Sequence, residues 1–178
     1  MGMRGLFLRR QKMFKVINRG KLPTRATKYS ACVDLYANAD VMIGAGETVV
    51  VPLGVCVDIE YIKSLHTTQS YYSKLDILNL EDFLDTHYLQ LEPRSSLRAK
   101  GLQAGTGVID LDFKDEICLI AHYPYTREFE ISNGDKSKAF IISKGDRIAQ
   151  IMLCEHKSYL FGIESEEERN GGLGSTGE

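Results

Sequence analysis

The run Glu47-Thr48-Val49-Val50-Val51-Pro52-Leu53-Gly54-Val55-Cys56-Val57-Asp58-Ile59 is dense in β-branched side chains. Such side chains are stiff about χ1 and fit the pleated surface of a strand better than a helix. Pro52 cannot donate to a strand ladder, and Gly54 tolerates backbone angles that other residues avoid. The run therefore predicts two strand segments around a Pro-Leu-Gly kink. Working outward, residues 116–122, 128–131, 139–142 and 148–153 are further short strand candidates, and Ser132-Asn133-Gly134-Asp135 is a turn signal between two of them. Many short strands joined by polar turns indicate an all-β chain: a sandwich, a barrel or a jelly roll.

The chain has 178 residues, 43% of them hydrophobic, which suits one compact domain with an adequate core and argues against disorder. Its longest mostly apolar stretch, residues 49–57, is far short of the ~20 residues that cross a bilayer as a helix, so no membrane association is expected. The formal net charge of −2 hides an uneven distribution. Residues 1–33 carry nine Lys or Arg and no acid, residues 34–154 carry eleven basic against eighteen acidic side chains, and residues 155–178 carry two against six. A basic arm of this kind raises a nucleic-acid partner, a targeting segment or an upstream extension. It lacks the aromatic and basic interleaving of strand-binding grooves, and residues 1–12 are read as an N-terminal extension. Nucleic acid is not an expected partner.

Cys32, Cys56, Cys118 and Cys154 lie far apart, with no Cys-x-x-Cys pair and no His at zinc-ligand spacing. Reduced thiols in a cytosol-like compartment follow, and the chain is expected to be cytoplasmic, or in host cytoplasm or nucleus if viral.

One stretch breaks the strand rhythm. From Ser73 to His87 the positions Leu75, Ile77, Leu78, Leu80, Phe83 and Leu84 follow helical spacing, and Ser73 or Asn79 suits an N-cap. Residues 61–92 are read as an insertion between strands that contains a short helix. It either covers a sheet edge or presents a surface to a protein partner. Residues 164–178 form an acidic and then Gly-, Ser- and Thr-rich tail, read as a mobile C-terminal arm on a domain spanning 13–163.

Five separated segments could carry chemistry. Ala26-Thr27-Lys28-Tyr29-Ser30-Ala31-Cys32-Val33-Asp34-Leu35-Tyr36-Ala37 reads as a strand, and Asp34 could simply be an exposed acid or an anchor. Pro93-Arg94-Ser95-Ser96-Leu97-Arg98-Ala99-Lys100-Gly101 sets an Arg beside two hydroxyls at a helix start, which suits an anion as well as a solvated turn. Gly105-Thr106-Gly107-Val108-Ile109-Asp110-Leu111-Asp112-Phe113 reads as a tight hairpin, and Lys144-Gly145-Asp146-Arg147-Ile148-Ala149-Gln150 as a turn into a core strand. Arg169-Asn170-Gly171-Gly172-Leu173-Gly174-Ser175-Thr176-Gly177 has the Arg, glycines and hydroxyls that a phosphate clamp uses, since Gly lets backbone N–H groups approach oxygens.

Taken together and in this order, the five segments resemble the motifs of the trimeric dUTP pyrophosphatase (dUTPase) family. The resemblance implies a jelly-roll-like β subunit and a homotrimer whose active sites collect motifs from all three chains. It implies dUTP as substrate, cleaved to dUMP and pyrophosphate, which keeps uracil out of DNA and supplies dUMP for thymidylate synthesis. Asp110 would activate the attacking water, and Arg94, Ser95, Ser96 and Gln150 would hold phosphate oxygens. Arg169, Gly174, Ser175 and Thr176 would close over the β and γ phosphates. The backbone around Gly107, Val108 and Ile109 would read uracil, Phe113 would lie against the deoxyribose, and Leu173 would cover the base. Mg²⁺ would bridge the phosphates, with Asp34 reaching it through water. The chain departs from the family pattern at Phe113, where Tyr is usual, at Leu173, where an aromatic is usual, and at Cys32, where Gly is usual.

Two other functions share parts of this pattern. A dCTP deaminase shares the Arg-Ser-Ser signature, but its catalytic Glu falls on the strand after the third motif, which here reads Ile117-Cys118-Leu119-Ile120-Ala121-His122. The other rival is a nucleotide-responsive regulator that uses residues 61–92 to contact a partner protein.

Overall fold

The computed structural model describes residues 13–67, 80–124 and 139–163. Among them, eleven strands and a few short helices make a jelly-roll-like β domain. The strands are β1 (Phe14–Val16), β2 (Val33–Tyr36), β3 (Val41–Ile43), β4 (Thr48–Pro52), β5 (Val55–Val57), β6 (His87–Pro93), β7 (Gln103–Ala104), β8 (Gly107–Asp110), β9 (Cys118–His122), β10 (Phe140–Ile142) and β11 (Arg147–Glu155). Three α-helical segments, α1 (Ile59–Thr67), α2 (Leu80–Thr86) and α3 (Ser95–Ala99), and a 3-10 turn Ser158–Phe161 complete the elements.

The Val-rich run folds as expected, with β4 and β5 flanking the Pro-Leu-Gly kink. Gly54 has φ of +67°, an angle that L side chains rarely adopt, and its N–H donates to Glu116 Oε1 at 2.7 Å. β4 then pairs with β9, while β5 turns aside to pair with β1. The kink thus sends one continuous apolar run into two different sheets.

The largest sheet runs β2-β11-β6-β8, all antiparallel, and a second runs β4-β9-β7. Side chains alternate across a strand, and residues opposite one another on neighbouring strands share a face. One face of the large sheet carries Leu35, Ala149, Ile151, Leu89, Leu91 and Ile109, all buried. The second sheet supplies Val51, Leu119 and Ala121, each fully buried, and the two inner faces share one hydrophobic cluster. The opposite face of the large sheet carries Asp34, Gln150, Glu92, Gln90, Tyr88 and Asp110.

Two expectations are corrected here. Residues 87–92, assigned to the insertion, belong to β6, a central strand that pairs with β11 on one side and β8 on the other. The rest of the stretch is also built into the domain: Ile62 on α1 is fully buried, and Phe83 and Leu84 on α2 pack against the core. The helix expected from Ser73 begins within the described residues at Leu80, and residues 68–79 lie outside them. The third motif, expected as a tight hairpin, is the edge strand β8 followed by a turn in which Phe113 N–H donates to Asp110 O at 3.1 Å. The next strand, β9, lies in the other sheet. The strand expected at 128–131, its turn at 132–135, the basic arm at 1–12 and the C-terminal arm at 164–178 lie outside the described residues.

Candidate active site

Backbone hydrogen bonds gather three of the five motif segments at one end of the large sheet. Asp34 and Gln150 are opposite each other on β2 and β11, and Gln150 is opposite Glu92 on β6, two residues before Arg94. Arg94 N–H donates to Ile148 O at 3.0 Å, and Ala37 N–H to Asp146 O at 2.9 Å. The return bond from Gly145 N–H to Ala37 O, at 2.8 Å, requires a tight turn in which Gly145 has φ of +94°. Segments far apart in sequence are thereby held in fixed register.

At the centre of this end sits Asp34, the one charged side chain in the buried class among the described residues, at 7% exposure. Arg147 Nη1 donates to its Oδ2 at 3.3 Å, and Arg94 Nε lies 3.6 Å from its Oδ1. A buried carboxylate needs such compensation, because an unpaired charge in low dielectric is costly. Arg94 caps α3 in extended conformation, with φ of −69° and ψ of 140°, and makes no side-chain cap bond. Its guanidinium, which carries only donors and cannot cap the helix N–H groups, points to Asp34. Ser95 and Ser96 open the helix and are exposed.

Arg147 reaches Asp34 because β11 bulges. Arg147 is opposite Tyr36 and Ala149 opposite Leu35, so Ile148 is an extra residue against β2. Bulges re-aim side chains by breaking the alternation. Ile148 and Ala149 both point inward, at 1% and 0% exposure, and Arg147 joins Asp34 and Gln150 on the outer face. A surface cavity of about 230 Å³ opens beside this cluster, lined on its polar side by Arg94, Ser96, Lys100, Asp146 and Arg147 and on its apolar side by Leu97, Phe140 and Ile142. Three of those five polar side chains are cationic, so the cavity suits an anion.

The third motif lies elsewhere. Asp110 ends β8, exposed, opposite Tyr88 at the far end of β6 from Arg94. Ile109 points into the core, so only its backbone faces outward, whereas Val108 is 68% exposed. Among the described residues β8 pairs on one side only, with β6, which leaves its other edge open. Gly107 is opposite Leu91, and Phe113 is half-buried against the core cluster. Arg169, Leu173, Gly174, Ser175 and Thr176 lie outside the described residues.

One chain therefore brings Asp34, Arg94, Ser96 and Gln150 to one sheet end and leaves Asp110 at the other. Sequence reasoning assigned no role to Arg147 or Lys100. Lys100 stands in the quoted second motif, but the bulge that turns Arg147 outward has no signature in residue types. The four cysteines are unpaired with one another, with Cys56 buried and Cys32, Cys118 and Cys154 half-buried. Among the described residues no helix is long and apolar enough to cross a membrane, and no group of three or more His, Cys, Asp or Glu could hold a metal ion.

Comparison with known proteins gives this arrangement a family. The dUTPase family model matches residues 61–177, well over half of the chain, spanning the second to fifth motif segments. The deoxyuridine 5'-triphosphate nucleotidohydrolase of Variola virus is 31% identical over 175 residues, covering 93% of this chain and 92% of that protein. The enzyme of the same name from Candida glabrata is 30% identical over 159 residues, covering 89% and 90%. A solved dUTPase from phage phi11 of S. aureus, whose structure concerns the coordination of a structural Mg(II) ion, superposes with a TM-score of 0.59 at 16% identity, covering 90% of this chain and 96% of that one. With a family model matching well over half of the chain and named relatives matching about nine tenths of it, the chain belongs to the dUTPase family.

Proposed function

We propose that the chain hydrolyses dUTP to dUMP and pyrophosphate, working as a homotrimer. The observation that carries this reading is the gathering of Asp34 on β2, Gln150 on β11 and Arg94, just past the end of β6, at one end of the large sheet beside a cation-lined cavity. The resemblance between this chain and named dUTP nucleotidohydrolases supplies the substrate.

Cleavage between the α and β phosphates needs a water in line with the α phosphorus, a base for its proton and cations for the departing pyrophosphate. Asp110 is the carboxylate that takes the proton. Arg94, with its permanently charged fork, and the Ser95 and Ser96 hydroxyls hold phosphate oxygens. Gln150 adds a neutral donor. The exposed edge of β8 at Gly107, Val108 and Ile109 offers backbone donors and acceptors to uracil, and Phe113 stands against the sugar. The resemblance of the fifth motif gives the remaining roles: Leu173 would cover the base, and Arg169, Gly174, Ser175 and Thr176 would meet the β and γ phosphates and exclude bulk water.

The donor set fits Mg²⁺ carried chiefly by phosphate oxygens and water. Such an ion keeps several waters and needs few protein ligands, and the described residues offer no cluster of carboxylates and imidazoles for a cage. Asp34 is the acid beside the phosphate cluster and would reach the ion through water. When bound, the ion neutralises phosphate charge and orients the leaving group.

Pyrophosphate release from dUTP tests the reading. The wild type should turn over dUTP in preference to dTTP and dCTP, and chelator should suppress the rate. Asp110→Asn should lower kcat by roughly 10²- to 10⁴-fold, the range that general base catalysis supplies, while dUTP binding stays within a few-fold. A wild type that binds dUTP without releasing pyrophosphate would overturn the enzyme.

A further inference from the structure

We propose that Arg147 is a positioning residue for the triphosphate: by keeping the Asp34 carboxylate charge-paired, it allows Arg94 to leave Asp34 and take hold of phosphate oxygens. The proposal rests on the dUTPase reading for the identity of the anion, but its test does not depend on turnover.

The two arginines hold the same carboxylate unequally. Arg147 makes a hydrogen bond to Oδ2 at 3.3 Å, whereas Arg94 approaches Oδ1 only to 3.6 Å, beyond hydrogen-bond length. Asp34 is buried, and its carboxylate cannot be stripped of both partners without leaving an uncompensated charge in a low-dielectric setting. A lone Arg94 would therefore be locked in place, since every phosphate contact it gained would cost the pairing of Asp34. With Arg147 present, two cations share one anion, and the cluster carries a surplus positive charge beside the cavity that both arginines line. The surplus belongs to Arg94, the more loosely held partner.

Arg147 is suited to stay. It opens β11, opposite Tyr36 on β2, and from Ala149 onward the same strand is also paired with β6. The bulge at Ile148 fixes which way Arg147 points, and the inward packing of Ile148 and Ala149 holds that bulge. Arg94 stands just past the end of a strand, as the cap residue of a five-residue helix, and its guanidinium makes the longer of the two contacts with Asp34.

A charge-neutralising cycle distinguishes this from a purely structural role and from direct contact with phosphate. Binding of inorganic tripolyphosphate is measured by calorimetry in metal-free buffer for the wild type, Arg147→Met, Asp34→Asn/Arg147→Met and Arg147→Lys, with dUTP turnover recorded separately in buffer that contains Mg²⁺. Arg147→Met should bind about tenfold more weakly, because Arg94 is then the sole partner of a buried carboxylate. The double variant should return to within about threefold of the wild type, because a neutral amide in place of the Asp34 carboxylate no longer competes for Arg94. Arg147→Lys, which keeps the charge but loses the fork, should fall between and serves if Arg147→Met does not fold. A double variant as weak as Arg147→Met would overturn the proposal in favour of direct phosphate contact by Arg147. Unchanged binding in both single variants would overturn it outright. Failure of the dUTPase reading would show separately, as a wild type that binds tripolyphosphate and leaves dUTP intact.

Discussion

Asp110 and Arg94 stand at opposite ends of one strand: Asp110 is opposite Tyr88, six residues before Arg94 along β6 and its continuation. At ~3.3 Å per residue that separation is about 20 Å, too far for both side chains to serve one phosphorus in the same chain. The geometry supports a site shared between copies, and it makes that sharing measurable. Asp110→Asn and Arg94→Met are each expected to be nearly inactive alone. Unfolded together in equal amounts and refolded, they should regain activity, because a mixed assembly contains sites that draw an intact Asp110 from one chain and an intact Arg94 from another. Random mixing makes about a quarter of the sites intact. A mixture no more active than either parent would mean that Asp110 and Arg94 do not meet at one shared site.

The thiol of Cys118 offers a pH prediction away from the site. Burial, with the negative charge of Glu116 as a smaller cause, pushes its pKa from 9.0 up to about 11. The folded state thus keeps the proton where the unfolded chain releases it, so the stabilising contribution is intact below pH 9 and is lost as pH rises toward 11. The thermal midpoint should fall across that window, and less so in Cys118→Ala. At pH 9, iodoacetamide should alkylate Cys118 far more slowly in the native protein than in urea, which peptide mapping by mass spectrometry would read.

The strands were legible where β-branched residues cluster, as in the run from Glu47 to Ile59, and where polar turns separate them. Strand β6 was also there to be read, since Leu89 and Leu91 alternate with Gln90 and Glu92, but the helical spacing just before it drew the boundary too far. The residue types of each segment alone left a bland reading open, but through the resemblance of the ordered segments to the dUTPase motifs Arg94, Asp34 and Gln150 could be named. Their meeting could not, because it depends on a register between strands more than fifty residues apart. The bulge that recruits Arg147 is harder still: it comes from two consecutive inward residues, and Ile148-Ala149 looks like any apolar step. The open edge of β8 reflects which sheet the next strand joins, a tertiary choice that the local turn signal at Gly105-Thr106-Gly107 does not encode.

The stretch 61–92 illustrates how placement changes an experiment. As a surface insertion its removal should leave turnover intact; as observed, removal takes away β6, which joins β11 to β8 at the middle of the large sheet. The deletion should therefore abolish folding rather than a partner contact. The helical part is anchored as well, with Ile62 fully buried in the core cluster. Ile62→Ala should cost roughly 2–5 kcal/mol, the range for emptying a buried aliphatic site, readable as a lower urea midpoint with unchanged slope. Turnover per folded molecule should stay close to wild type, because α1 carries none of the residues assigned to phosphate, base or water. A stability loss under about 0.5 kcal/mol, the level of ordinary surface substitutions, would mean that α1 is a detachable surface element and would reopen the stretch as a docking site.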